Sequence, residues 1–145
     1  MNYKIVNIKE NFFENIPKRK QKSLLNQYLK ENVKGKDYYV DGEKIIANKY
    51  TVGKLNYGIT LYDNRIEKNL RKELKANIII NLKEVIENSK IYQRNRKDTK
   101  QHIFADTFDR RKSIIKYKEI KYKVMFDVGK KEKINTLYGI EHIKK

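Results

Sequence analysis

The chain has no cysteine, one proline and only two histidines in 145 residues. Without cysteine there is no disulfide framework, no thiolate nucleophile and no Cys-based zinc site, which fits a reducing compartment. Two isolated histidines do not make a zinc site either. P-loop, GxGxxG and HExxH motifs are missing, so no cofactor and no bound metal are expected. The pair Asp106 and Asp109, three apart with no further acids beside it, is a poor magnesium site. No segment reaches the roughly 18 apolar residues of a membrane span, and "MNYKIVNIKENFF" has neither an apolar leader segment nor a cleavage site. These absences predict a soluble, cytoplasmic protein with no membrane partner. No Pro/Gly/Ser-rich linker, repeat or low-complexity tract interrupts the chain, so residues 1–145 read as a single domain.

What is abundant is positive charge. The chain carries 35 Lys and Arg against 18 Asp and Glu, a net +17, while 39% hydrophobic residues and 16 Tyr and Phe exclude a disordered polyelectrolyte. Lys, Ile, Asn and Tyr together supply about half the residues, as AT-rich coding produces. Coding bias does not explain the uneven distribution. Residues 91–145 hold 16 basic and 7 acidic groups, against 11 and 6 in residues 1–50 and 8 and 5 in residues 51–90. An electropositive C-terminal third predicts RNA or another nucleic acid as partner, since phosphate contacts dominate such affinity.

Periodicity supplies the elements. "MNYKIVNI" reads as an opening strand, and "IPKRKQKSLLNQYLKENV" as a helix with Pro17 in its first turn and Leu24, Leu25, Tyr28 and Leu29 as its apolar stripe. "DYYVDGEKIIA" is a hairpin, because Asp41-Gly42 tolerates the positive φ of a tight turn. Asn64 to Ser89 returns to helical spacing as two helices or one kinked helix, with "NIIIN" at 77–81 ambiguous because β-branched residues weaken a helix. From Lys90 the period becomes two. Ile120, Tyr122, Val124, Phe126 and Val128 alternate with polar neighbours. "KSIIKYK" is their partner through a Lys118-Glu119 turn, and "INTLYGIEHI" follows the charged loop "GKKEK" as a last strand. The expected class is α+β, with N-terminal helices behind an antiparallel meander in the C-terminal half.

The helical "RKELKANIIINLKEVIENSKIYQ", the basic gap "RNRKDTK", the hairpin "KYKEIKYKVMFDV", the terminal "TLYGIEHIKK" and "VDGEKIIANKYTVGKL" together cover most of the chain. In pattern they resemble the phage-associated nuclease domains grouped with barnase, EndoU, colicin-type RNases and RelE (BECR). That resemblance implies helices packed on a roughly four-stranded antiparallel sheet, a phage or prophage origin, and cleavage of RNA without a metal. It also brings in an immunity protein or a host defence complex as a partner.

Such cleavage uses the 2′-hydroxyl as nucleophile and needs a base, an acid and cations for the phosphorane. Histidine is the natural proton carrier, and tyrosine or a carboxylate replaces a missing one. His102 is the leading candidate; in "TKQHIFADTF" read as a strand, Lys100, His102, Phe104 and Asp106 share a face. Arg110 and Arg111 follow as phosphate clamps, but being adjacent they point to opposite sides. Arg94 and Arg96 in the basic gap, and Lys100, Lys116, Lys121 and Lys123 around the hairpin, would hold the RNA backbone, as would Lys54 after Gly53. Tyr138 reads as core and His142 as a tail residue. The leading expectation is a metal-independent endoribonuclease. Its rival is a non-catalytic anti-defence inhibitor, similar in role to an anti-CRISPR, that occupies a host nucleoprotein complex or its nucleic acid.

Overall fold

A computed structural model of the chain describes residues 2–97 and 102–145. In chain order the elements are β1 (Ile5–Ile8), α1 (Lys18–Asn32), β2 (Asp37–Val40), β3 (Glu43–Ile46), α2 (Lys49–Tyr57), β4 (Leu61–Tyr62), α3 (Lys68–Ile80), α4 (Leu82–Glu87), β5 (Lys90–Lys97), β6 (Thr107–Tyr117), β7 (Ile120–Lys131) and β8 (Ile134–Lys144).

Local sequence explains most of these boundaries. Pro17 precedes the first residue of α1, and Leu25 and Leu29 are its buried stripe. The β2–β3 hairpin turns through Asp41 at φ 53° and Gly42 at φ 75°, the paired left-handed conformation that matches strand twist. Asn48 caps α2 by accepting from the Tyr50 and Thr51 amides, while the Thr51 hydroxyl accepts from the Asn48 amide. Helical structure continues through the isoleucine run at 78–80 because Ile78 and Ile79 are fully buried; packing overrides their weak helix propensity. Asn81 separates α3 from α4.

The expectation of a roughly four-stranded antiparallel sheet is corrected. Among the described residues eight strands form one mixed sheet, six of them in the order β1-β6-β7-β8-β3-β2. The antiparallel meander β6-β7-β8 is its spine. The free edge of β6 is shared lengthwise, antiparallel β5 along its first half and parallel β1 along Ile114 to Tyr117. The free edge of β8 is shared in the same way, by β3 at Asn135 and Thr136 and by β4 at His142 and Ile143, both parallel. Two segments read from sequence as loops are strand. "RNRKDTK" contributes Arg94 to Lys97 to β5, and "GKKEK" contributes Gly129 to Lys131 to β7 before turning at Glu132.

The sheet has two unlike faces. On the inner one, Ile115, Tyr117, Tyr122, Val124, Phe126, Val128, Leu137, Ile140 and Ile143 join Leu25, Leu29, Leu74, Ile78 and Ile86 in one apolar cluster. The alternate residues of β6 and β7 face the other way, where Phe108 and Met125 are buried outside that cluster. No helix among the described residues is long and apolar enough to cross a membrane.

Candidate nucleic-acid site on the outer sheet face

The outer face gains its own small core at the end carrying Phe108 and Gly129, which are Cα partners. A methyl group at Gly129 would stand 2.8 Å from Ala105 Cβ and 3.0 Å from the Phe104 ring, so only glycine lets the 102–106 segment lie flat on the sheet. The Asp106 amide donates to the Lys130 carbonyl at 2.8 Å, and Lys131 Nζ donates to the Ile103 carbonyl at 3.0 Å. This segment is a turn rather than the expected strand, yet it still brings His102 and Phe104 together, with ring centroids 5.2 Å apart. Gly129→Ala is expected to lift it, costing about 1–3 kcal/mol through overpacking. It should also slow any His102-dependent reaction by ~10²-fold through misplacement. A urea melt beside an activity assay separates the two effects.

Strand β8 supplies two more groups through its irregularities. Its register against β7 slips between Met125 and Phe126 and again between Asp127 and Val128, which leaves Glu141 and Tyr138 without Cα partners. Bulges re-aim side chains in this way. Tyr138, expected in the core, turns to the outer face: its ring lies 5.7 Å from that of Phe108 and 5.1 Å from that of Phe104. Its hydroxyl is 3.1 Å from His102 Nε2.

Helix α2 brings the cation. Its Thr51 hydroxyl donates to the Leu137 carbonyl, fastening the helix beside the bulge. A Cβ at either Gly58 or Gly139 would overlap the methylene stem of Lys54, so both glycines are needed for its path. Lys54 Nζ thereby sits 5.1 Å from the Tyr138 ring centroid and 3.9 Å from Glu141 Oε1. Tyr50 stacks on Phe104 at 4.9 Å, and Lys49 Nζ lies over Tyr50 at 5.3 Å.

Together these residues line an open hollow of about 890 Å³ whose rim carries Tyr57, Ile59 and Ile103. Those three are 64%, 78% and 68% exposed, an apolar edge that water does not favour. A His–Tyr pair in hydrogen-bond contact, a half-buried ammonium and aromatic surfaces thus share one concave site. Groups of these types have the chemistry to hold a phosphate beside a stacked ring and to exchange protons.

The other expected site residues are dispersed. Arg111 is only 1% exposed, on the inner face, where Nε donates to Ser89 Oγ at 2.8 Å and Nη2 to Asp41 at 2.5 Å. Its guanidinium is closed off from solvent in this arrangement. Arg110 lies on the outer face but is held to Asp127 at 2.9 Å, and Arg96 is 3.4 Å from the same carboxylate. Arg94 is exposed and only 3.9 Å from Asp109. Lys116, Lys121 and Lys123 do lie on the outer face, Lys116 directly opposite Lys121, and Lys112 and Lys144 join them. Along β6 this track runs from Lys112 to Lys116, about 13 Å at the usual ~3.3 Å rise per residue. His142 faces the track, with burial first and then Lys144 and Arg110 lowering its pKa. Lys100 falls outside the described residues. Among the described residues no three His, Cys, Asp or Glu side chains are placed to hold a metal ion.

Sequence reasoning did not single out Glu141, Lys49 or Tyr50. The signal for α2 was Asn48 three residues before Thr51, a capping pair obscured by β-branched Thr51 and Val52 and by Gly53. The chain matches no protein-family model, no curated protein and no solved structure.

Proposed function

We propose that the protein binds single-stranded RNA along its outer sheet face and cleaves it at the His102–Tyr138 pair, as a metal-independent endoribonuclease. One observation carries this reading: His102 Nε2 and the Tyr138 hydroxyl are 3.1 Å apart beside the half-buried Lys54 ammonium, in a hollow on the same sheet face as the lysine track.

The reaction follows from the groups available. His102 takes the proton of the 2′-hydroxyl as its oxygen attacks the adjacent phosphorus. The bond from phosphorus to the 5′-oxygen breaks, and Tyr138 protonates that leaving oxygen, because a phenol is an acid that keeps its proton at neutral pH. Products are a 2′,3′-cyclic phosphate and a 5′-hydroxyl. The short contact between the two side chains then returns the proton from imidazole to phenolate. Lys54 stabilises the phosphorane charge in a partly dewatered setting, and Glu141 holds the ammonium in place. Bases stack on the Tyr50, Phe104 and Tyr57 surfaces while Lys112, Lys116, Lys121 and Lys123 follow the backbone. Arg110 shapes Asp127 and the sheet rather than gripping phosphate.

The test is incubation of the purified protein and its His102→Ala variant with labelled mixed-sequence RNA in excess EDTA, scoring cleavage and gel retention together. Cleavage by the wild type that falls 10²–10⁴-fold in the variant, with retention unchanged, is the expected result. Intact RNA from both proteins sinks the catalytic reading. The exposed rim of Tyr57, Ile59 and Ile103 would then favour a non-catalytic anti-defence inhibitor docking on a host nucleoprotein complex.

A further inference from the structure

A second cavity, of about 560 Å³, lies behind the Gly58–Ile59 wall of the first, among the opening turns of α1, the end of α2, β4 and the opening turns of α3. Its cations are Lys18, Lys22, Lys68, Arg71, Lys72 and Lys75, and no Asp or Glu lines it. Among the described residues none of these six has a carboxylate within the 4.0 Å of an ion pair. Arg71 instead donates to the Ile66 carbonyl at 3.1 Å, and Lys75 to the Gly58 carbonyl at 3.2 Å.

Helix α1 is built against its own dipole. It has no side-chain cap and no acid in its first turn, and Lys18, Arg19 and Lys20 stand where the macrodipole is already positive. At α3 the N-cap is Glu67, an acid that makes no capping hydrogen bond, followed by Lys68. An anion beside the start of α1 would relieve that arrangement.

A third observation comes from α2. Asn56 lines the cavity with both Oδ1 and Nδ2 buried and without a hydrogen-bond partner. A buried amide left unpaired costs about 1–3 kcal/mol. Neither atom is exposed to the cavity as the side chain stands; turned toward it, the amide would pair with a ligand edge presenting one donor beside one acceptor, the pattern of a nucleobase edge. The remaining wall is apolar, from Phe13, Leu25, Leu55 and Tyr62.

We propose that this cavity is a nucleotide site, taking phosphate groups on its six cations and a heterocyclic base against Asn56 and the apolar wall. Its phosphate ester comes either from a free nucleotide or from the 5′ end of a strand, and neither source requires cleavage at His102. Among the six, Lys75 has its pKa lowered to about 8, by burial first and then by Lys54, so phosphate beside it would hold its proton more firmly.

Calorimetric titration tests the proposal with three probes at 150 mM salt: ATP, inorganic tripolyphosphate, and 2′-O-methyl tetranucleotides with and without a 5′-phosphate, which lack the 2′ nucleophile. ATP is expected to bind at least ~10-fold more tightly than tripolyphosphate. Arg71→Gln and the surface variant Lys22→Gln should each weaken ATP by several-fold. Asn56→Ala should erase the preference for ATP over tripolyphosphate. Competition by only the 5′-phosphorylated tetranucleotide identifies a strand end as the source, and its failure to compete identifies a free nucleotide. Equal binding of ATP and tripolyphosphate by the wild type overturns the proposal, as does ATP binding indifferent to both Arg71→Gln and Lys22→Gln. Because no RNA is cut in this experiment, its failure leaves the His102 assay untouched.

Discussion

Tyr138→Phe is expected to slow RNA cleavage by 10²–10³-fold while leaving the fold and RNA retention close to wild type. The ring stays, and with it the packing against Phe104 and Phe108 at 5.1 and 5.7 Å. Only the hydroxyl facing His102 is lost, about 1 kcal/mol of stability for one hydrogen bond. Cleavage, by contrast, loses its acid for the leaving oxygen, a contribution of 10²–10⁴ when a positioned group transfers a proton. A Tyr138 that merely braces the 102–106 segment would behave otherwise: retention and cleavage would drop together with the melting temperature.

Why Tyr138 was read as core shows where sequence stops being informative. Alternation places Ile134, Thr136, Tyr138, Ile140 and His142 on one face of a regular strand. The two register slips in β8 separate them, sending Ile140 inward and Tyr138 and His142 outward. A bulge is set by what the neighbouring strand and α2 demand, and nothing local in "INTLYGIEHI" announces it. Patterns whose cause is local were legible: the α1 stripe, the Asp41-Gly42 turn, the Lys118-Glu119 turn and the β6–β7 alternation all formed. Pairings that depend on distant chain were not. β1, β3 and β4 contribute four, four and two residues and pair with strands about 80 to 110 positions away. Short strands joined by long loop closures leave too little periodicity to place them. Adjacency correctly put Arg110 and Arg111 on opposite sides, but only the fold reveals that Asp127 holds one while Ser89 and Asp41 bury the other.

That buried arginine carries the largest expected stability effect. Arg111→Ala should destabilise the protein by about 4 kcal/mol, since it empties a fully buried side-chain volume opposite Phe126. Arg111→Met should cost only about 1 kcal/mol. Methionine refills the space, and an ion pair replaced by an apolar side chain of similar size is often close to neutral. The partners tolerate the loss: Ser89 Oγ still donates to the Ile86 carbonyl at 2.5 Å, and Asp41 is exposed to water. Asp41→Asn preserves the left-handed turn conformation, because asparagine accepts positive φ, but leaves the guanidinium without its counter-charge. A cost of about 2 kcal/mol is expected, below that of a wholly buried pair because Asp41 already faces solvent. In the Arg111→Met background the same change should cost almost nothing, so a urea-denaturation cycle on the four proteins isolates the pair. Arg111 thus links β6 to the β2–β3 turn and to the start of β5, and the sheet it fastens carries both the lysine track and Tyr138. RNA retention and cleavage by Arg111→Met should therefore match wild type; loss of retention in a variant that melts normally would instead make Arg111 a phosphate ligand reached through an opening of the hairpin.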